Sequence, residues 1–183
     1  RFGRIVGVLG TYHESNGDQA QALSLYEQSV KLDPDIAMGF WLELASLRTT
    51  QGNDALNQAI DLYNEAHETD DFAEACQMLE RSIEKSSEFL WSFNNLAWAL
   101  ATSEEMTQRD GPKAVTLAQR LCEMDDWQYS NFIDTLAAAH ASVGDYAKAI
   151  EFAKQAIEVA SPTEKDDLLE TINKYQTAQS EGA

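Results

Sequence analysis

The chain has 183 residues, of which 31 are Asp or Glu and 13 are Lys or Arg, for a net charge of −18. Nucleic acids and anionic membrane surfaces are held chiefly through Lys and Arg, so neither is expected as a partner. Hydrophobic residues at 44% suffice for a folded core and are too many for a disordered acidic tail, while 3 Pro and 9 Gly are few for a turn-rich all-β protein.

Arg1-Phe2-Gly3-Arg4 opens the chain inside a helical pattern with neither an initiator Met nor a leader, so the chain reads as a piece of a longer protein. Compartment is thereby left open, with the cytoplasm favoured. The spacing Val6-x2-Leu9-Gly10-x2-His13, Gly17-Asp18, Ala22-x3-Tyr26, Pro34 predicts two antiparallel helices joined by a tight turn, a hairpin over 3–34. Trp41-x2-Leu44-Ala45, Gly52 and Ala59-x3-Tyr63 repeat the pattern with two extra turn residues and predict a hairpin over 37–70. Residues 71–86, with Phe72, Ala75, Leu79 and Ser82 on one face, predict an extra helix. Either this helix stands alone in the stack, or Leu56 to Glu68 pairs with it and the Trp41 helix lacks its mate.

Phe93-x2-Leu96-Ala97, Asp110-Gly111 and Ala114-x3-Ala118 predict a hairpin over 88–124, with its turn lengthened from Ser103 to Arg109. Ile133-x2-Leu136-Ala137-x2-His140, Gly144-Asp145 and Ala149-x3-Ala153 predict another over 130–160. Gly17, Gly52 and Gly144 fall where a first helix must end, and Asp18 and Asp145 follow as N-caps of the second. Ser161-Pro162-Thr163-Glu164 then reads as a cap, a first-turn proline and a capping-box Glu. The stripe Leu168, Leu169, Ile172, Tyr175 makes 162–178 an amphipathic helix closing the array, with a frayed tail from Thr177.

These four in-register segments resemble the tetratricopeptide repeat, a helix–turn–helix of about 34 residues with the pattern W-x2-L-G-x2-Y, A-x3-F, P. The resemblance implies an all-α fold: an α-solenoid of stacked antiparallel hairpins in a right-handed superhelix, closed by a C-terminal capping helix. It also implies a protein–protein interaction scaffold, with a peptide or protein segment held in a concave groove lined by first helices and no catalysis of its own. The groove positions carried over are Arg4, Gly7, Thr11 and Glu14; Gly39, Leu42, Ser46 and Thr49; Trp91, Asn94, Trp98 and Ala101; Asn131, Asp134, Ala138 and Ala141. The segment from Asn94 to Ala160 is similar to repeat pairs common in large bacterial multidomain proteins. An accessory segment of a transferase or kinase, with its catalytic domain elsewhere, is therefore the alternative function.

Trp91, Asn94, Asn95, Trp98, Asn131 and Asp134 form the candidate peptide-binding set. Trp91 and Trp98 are seven apart and share a helix face, tryptophan is enriched at binding hot spots, and an amide between them suits an extended backbone. The competing reading packs Trp91 against the neighbouring hairpin and Trp98 under the long turn. The chaperone-binding subtype of the family grips an acidic tail with Lys, Asn and Arg. Gly7, Thr11 and Glu43 stand at matching positions here, so a basic or neutral segment is the expected partner.

Catalytic chemistry is not legible. There is no nucleotide-binding glycine pattern, GxSxG elbow, HExxH or zinc spacing, and Asp33-Pro34-Asp35 departs from a calcium loop at Ala37 and Met38. No catalytic residue, metal or cofactor is therefore assigned. His13 and His140 stand where the repeat has a tyrosine and read as packing residues, His67 as an exposed histidine ion-paired to nearby acids, and Asp125-Asp126 as solvated turn. Cys76 and Cys122 lie on apolar faces without CxxC spacing and are expected as separate, mostly buried thiols. Nothing in the sequence bears on oligomeric state.

Overall fold

The computed structural model describes residues 2–32 and 54–181. Trp41, Leu44, Gly52 and the groove positions Gly39, Leu42, Ser46 and Thr49 lie outside the described residues, as do Pro34 and Glu43. Among the described residues are nine α-helices and no strand. They are α1 (Phe2–Ser15), α2 (Gln19–Leu32), α3 (Asp54–Glu68), α4 (Phe72–Lys85), α5 (Leu90–Thr102), α6 (Gly111–Met124), α7 (Ser130–Ser142), α8 (Tyr146–Val159) and α9 (Lys165–Glu181). None is long and apolar enough to cross a membrane.

Sequence neighbours pack on one another: α1 on α2, α3 on α4, α5 on α6, α7 on α8, and α9 on α8. Between hairpins, α4 meets α5, α6 meets α7, and the two first helices α5 and α7 lie side by side. This is an all-α helical-repeat solenoid, in which each hairpin from α3 onward buries its apolar face on the next.

Small residues set the spacing within hairpins. Ala97, Ala114, Ala137 and Ala149 have no exposed surface. Gly10 shows the demand most sharply: a β-carbon there would lie 2.7 Å from Cε1 of Tyr26. That ring is fully buried, and its hydroxyl donates to Glu14 Oε2 at 2.8 Å. Gly144 ends α7 with φ of +79°, and Asp145 then caps α8 by accepting from Lys148 N at 3.2 Å. Asp110 caps α6 in the same way, accepting from Lys113 N at 3.1 Å. The long α5–α6 turn closes on itself through a 3-10 turn at Met106–Gln108. There Ser103 Oγ donates to Gln108 Oε1 and Arg109 Nε donates to the Ser103 carbonyl.

α3, the second half of the hairpin expected over 37–70, packs on α4, the expected extra helix. A buried polar relay fixes this pairing: Ser82 of α4 donates to the Ala59 carbonyl of α3 at 2.6 Å and accepts from Ser92 of α5, also at 2.6 Å. Both serines have no exposed surface. At the C-terminus, Ser161 and Glu164 close a turn of their own, so α9 begins at Lys165 and runs as helix through to Glu181. The capping-box contact itself is present, Ser161 N donating to Glu164 Oε2 at 2.6 Å.

Candidate functional site

Helices α3, α5 and α7 are tied by a row of side-chain hydrogen bonds. From α3, the His67 ring nitrogen Nδ1 lies 2.7 Å from the Tyr63 carbonyl, one turn back. A carbonyl only accepts, so the proton sits on Nδ1 and Nε2 is left to accept from Asn95 Nδ2 at 2.8 Å. Asn95 Nδ2 also donates to the Tyr63 hydroxyl at 3.0 Å. Within α5, Asn94 Nδ2 donates to Asn95 Oδ1 at 3.2 Å, and Asn94 Oδ1 accepts from Thr135 Oγ1 of α7 at 2.8 Å. His67 is thus an exposed histidine held by an amide and a carbonyl, where the sequence suggested an ion pair with acids.

The two asparagines join first helices to one another. The Asn95 amide has both its oxygen and its nitrogen engaged inside the protein.

The tryptophans part company. Trp91 is partly buried and meets Tyr129 and Phe132 edge-to-face, with ring centroids 5.8 and 5.5 Å apart and interplanar angles of 80° and 73°. It packs against the neighbouring hairpin. Trp98, two turns along α5, is 45% exposed and stands on the same face as the amide row.

On α7, Asn131 is exposed and Asp134 lies one residue before the Thr135 that bonds Asn94. Burial pushes the Asp134 carboxyl up to about 6, and its Oδ1 is shielded from water without a hydrogen-bond partner. The carboxyl borders a cleft of about 200 Å³ between α7 and the start of α9. Among the described residues no three His, Cys, Asp or Glu side chains form a group that could hold a metal ion.

The other titratable residues fall into packing roles. His140 is buried and stacked on Phe152 with centroids 5.3 Å apart, and desolvation lowers its pKa. His13 sits half-buried with Nδ1 3.4 Å from Asp18 Oδ2. Asp125 is not simply solvated: it is partly buried, accepts from Gln128 N, and desolvation raises its pKa to about 6. Cys122 is fully buried and Cys76 partly so, and both are free thiols. Burial pushes the Cys122 thiol up to about 12.

A family model described as tetratricopeptide repeat matches residues 4–36 and 134–162. No curated protein matches the chain in sequence. Among solved structures, the chain is similar to the TPR2AB domain of yeast Sti1 in a pHSP90 complex, at 19% identity and a TM-score of 0.57, covering 95% of this chain and 69% of that one. It is also similar to yeast Tom70, at 15% identity and a TM-score of 0.55, and to the TPR domain of P58(IPK), at 16% and 0.54. The chain is covered to 98% in both of these and spans 40% and 47% of their respective lengths. At these identities the likeness is one of fold.

Proposed function

We propose, for a chain that is a tetratricopeptide-repeat protein, that the face formed by its first helices holds a segment of another protein, basic or neutral in character. Repeats of this family generally serve as protein–protein interaction scaffolds. The observation that carries the proposal is Trp98: a large aromatic ring, 45% exposed, beside the amide row that aligns α3, α5 and α7. Large apolar groups left in water on a structured face are a mark of recognition surfaces. Asn131 and Asp134 continue the same face on α7, while Trp91, Asn94 and Asn95 hold the helices beneath it in register.

Charge supports the choice of partner. With a net charge of −18, the protein repels acidic segments at long range and draws in basic ones, most strongly at low salt.

Titration of the chain with lysine-rich, neutral and glutamate-rich peptides of equal length, followed by tryptophan fluorescence, tests the reading. Affinity should fall from the first to the last, and Trp98→Ala should weaken the tightest complex by about tenfold or more. Equal affinity for all three peptides, or indifference to Trp98, would refute it.

A further inference from the structure

We propose that Asn16, at the tip of the first hairpin, is a site of deamidation in this chain, and that the C-terminal cap of α1 governs the reaction. Asn16 is the one asparagine of the sequence followed by glycine. The chemistry favours that neighbour: the backbone nitrogen of the following residue attacks the side-chain carbonyl carbon, and a side chain on that residue hinders the approach. Gly17 carries none, and a β-carbon there would meet nothing within 4 Å, so the turn is open to water. Asn16 and Gly17 are both exposed. The asparagines of α3, α5, α7 and α9 are placed otherwise, since each sits inside a helix and precedes a larger residue.

Water is the only co-reactant the step needs. Once hydroxide takes the Gly17 amide proton, that nitrogen bonds to Cγ of Asn16, the Cγ–Nδ2 bond breaks, and Nδ2 leaves as ammonia with a proton returned from water. Water then opens the resulting five-membered imide at either carbonyl. One opening leaves aspartate. The other leaves isoaspartate, with the backbone running through Cγ and longer by one methylene.

In the folded chain both reacting groups are held. Gly17 N donates to the Glu14 carbonyl and Asp18 N to the His13 carbonyl, each at 2.9 Å, with Gly17 at φ of +81°. These two bonds and the left-handed glycine form a Schellman cap. Asn16 Nδ2 donates to the Tyr12 carbonyl at 2.8 Å. Attack requires Gly17 N to lose its proton, and with it the bond to Glu14, and requires the Asn16 side chain to turn from the Tyr12 carbonyl. The cap must open first, so local opening of the helix end sets the rate. The product then keeps the cap open. A carboxylate at position 16 stands at the negative end of the α1 dipole, two residues before Asp18, whose own carboxylate accepts from Gln21 N at 3.2 Å. Isoaspartate adds a methylene between the carbonyls of α1 and the amides that close on them.

The test incubates the whole chain at pH 8 in native buffer and in urea and follows its peptides by mass spectrometry, isoaspartate being distinguished by its resistance to cleavage at aspartate. The peptide containing Asn16 should gain one mass unit ahead of every other asparagine peptide in both conditions, about tenfold faster in urea than in buffer. Gly17→Ala, read in urea where folding does not enter, should slow the gain several-fold. The isoaspartate form, purified and returned to buffer, should melt roughly 2–4 °C below the untreated chain. Another asparagine reacting first, or an unchanged rate in Gly17→Ala, would overturn the site. Equal rates in buffer and in urea would overturn the control by the cap, and an unshifted melting point would overturn the effect of the product on α1.

Discussion

Trp91 and Trp98 share a helix face, and truncating each should separate folding from binding. Trp91 makes two edge-to-face ring contacts across the α5–α7 interface, with centroids 5.5 and 5.8 Å apart. Such contacts contribute about 0.5–1.5 kcal/mol each beyond area burial, and large-to-small changes at buried aromatics cost about 3–5 kcal/mol in all. Trp91→Ala should sit near the lower end, at ~3 kcal/mol, since the ring is only partly buried. In a chain of this size that corresponds to a melting point lower by roughly 6–12 °C.

Trp98 keeps 45% of its surface exposed and, among the described residues, has no aromatic partner. Scaling the ~3 kcal/mol of Trp91→Ala by the buried fraction of Trp98 gives ~2 kcal/mol for Trp98→Ala, or roughly 4–8 °C. Its binding cost should run the other way, about tenfold or more in affinity for a basic peptide. Calorimetric melting beside fluorescence titration of both variants reads the two axes together. Equal melting shifts with peptide affinity untouched in Trp98→Ala would show the ring to be a packing residue, and the proposed site would lose its principal contact.

Ser82→Ala leaves the Ser92 hydroxyl without its partner in a dry interior and removes the second bond of the Ala59 carbonyl, which keeps its helical one, and should destabilise the chain by ~1–3 kcal/mol in urea unfolding; a change under ~0.5 kcal/mol would mean that the relay is not buried as described. Asp134 has a folded pKa of about 6 against an ordinary 3.8, so the folded state holds more protons between those values and stability falls as pH rises through that window, by up to ~3 kcal/mol. Asp134→Asn should remove this slope and be the more stable form at pH 8; parallel pH curves for variant and wild type would contradict the assignment. Cys122, fully buried with its thiol pushed up to about 12, should resist iodoacetamide until the chain unfolds, while half-buried Cys76 reacts slowly, as mass spectrometry of timed digests would show. Labelling of native Cys122 at the rate of a free thiol would contradict this.

The repeat was legible because its local and packing demands coincide in a few residue types. Gly10 under Tyr26, Gly144 at positive φ and Asp145 as cap each have a local cause that a sequence can display. The partner of α3 was not legible in that way. Ala59-x3-Tyr63 fits the second-helix pattern, but the Ser82 relay that joins α3 to α4 is a contact 23 positions apart, and serines carry no hydrophobic signal. The turn from α6 to α7 was expected at Asp125-Asp126, but its conformation was not legible for a similar reason. Asp126 and Trp127 both adopt positive φ, at 53° and 58°, an unfavourable conformation for side chains of that size. The Trp127 ring, stacked on Phe152 at 5.9 Å and 15°, and the bond from Trp127 N to the Cys122 carbonyl hold it there.

The candidate site divides along the same line. Sequence spacing placed the six residues on first helices, but whether an amide faces a ligand or a neighbour depends on what stands across the groove. Thr135 and His67 stand there, 41 and 28 positions from their asparagine partners. Their hydrogen bonds occupy the groups that an extended peptide backbone would otherwise find. On the proposed function, recognition of a peptide backbone is then weak along α5, and selectivity comes from side chains of the partner. On that reading two features of this face are left to read a side chain: the exposed ring of Trp98, and the acidic residue Asp134 of α7. One suits an apolar or flat group and the other a cation, separated by the span from α5 to α7. On the proposed function, the preferred partner segment carries both, rather than net basic charge alone.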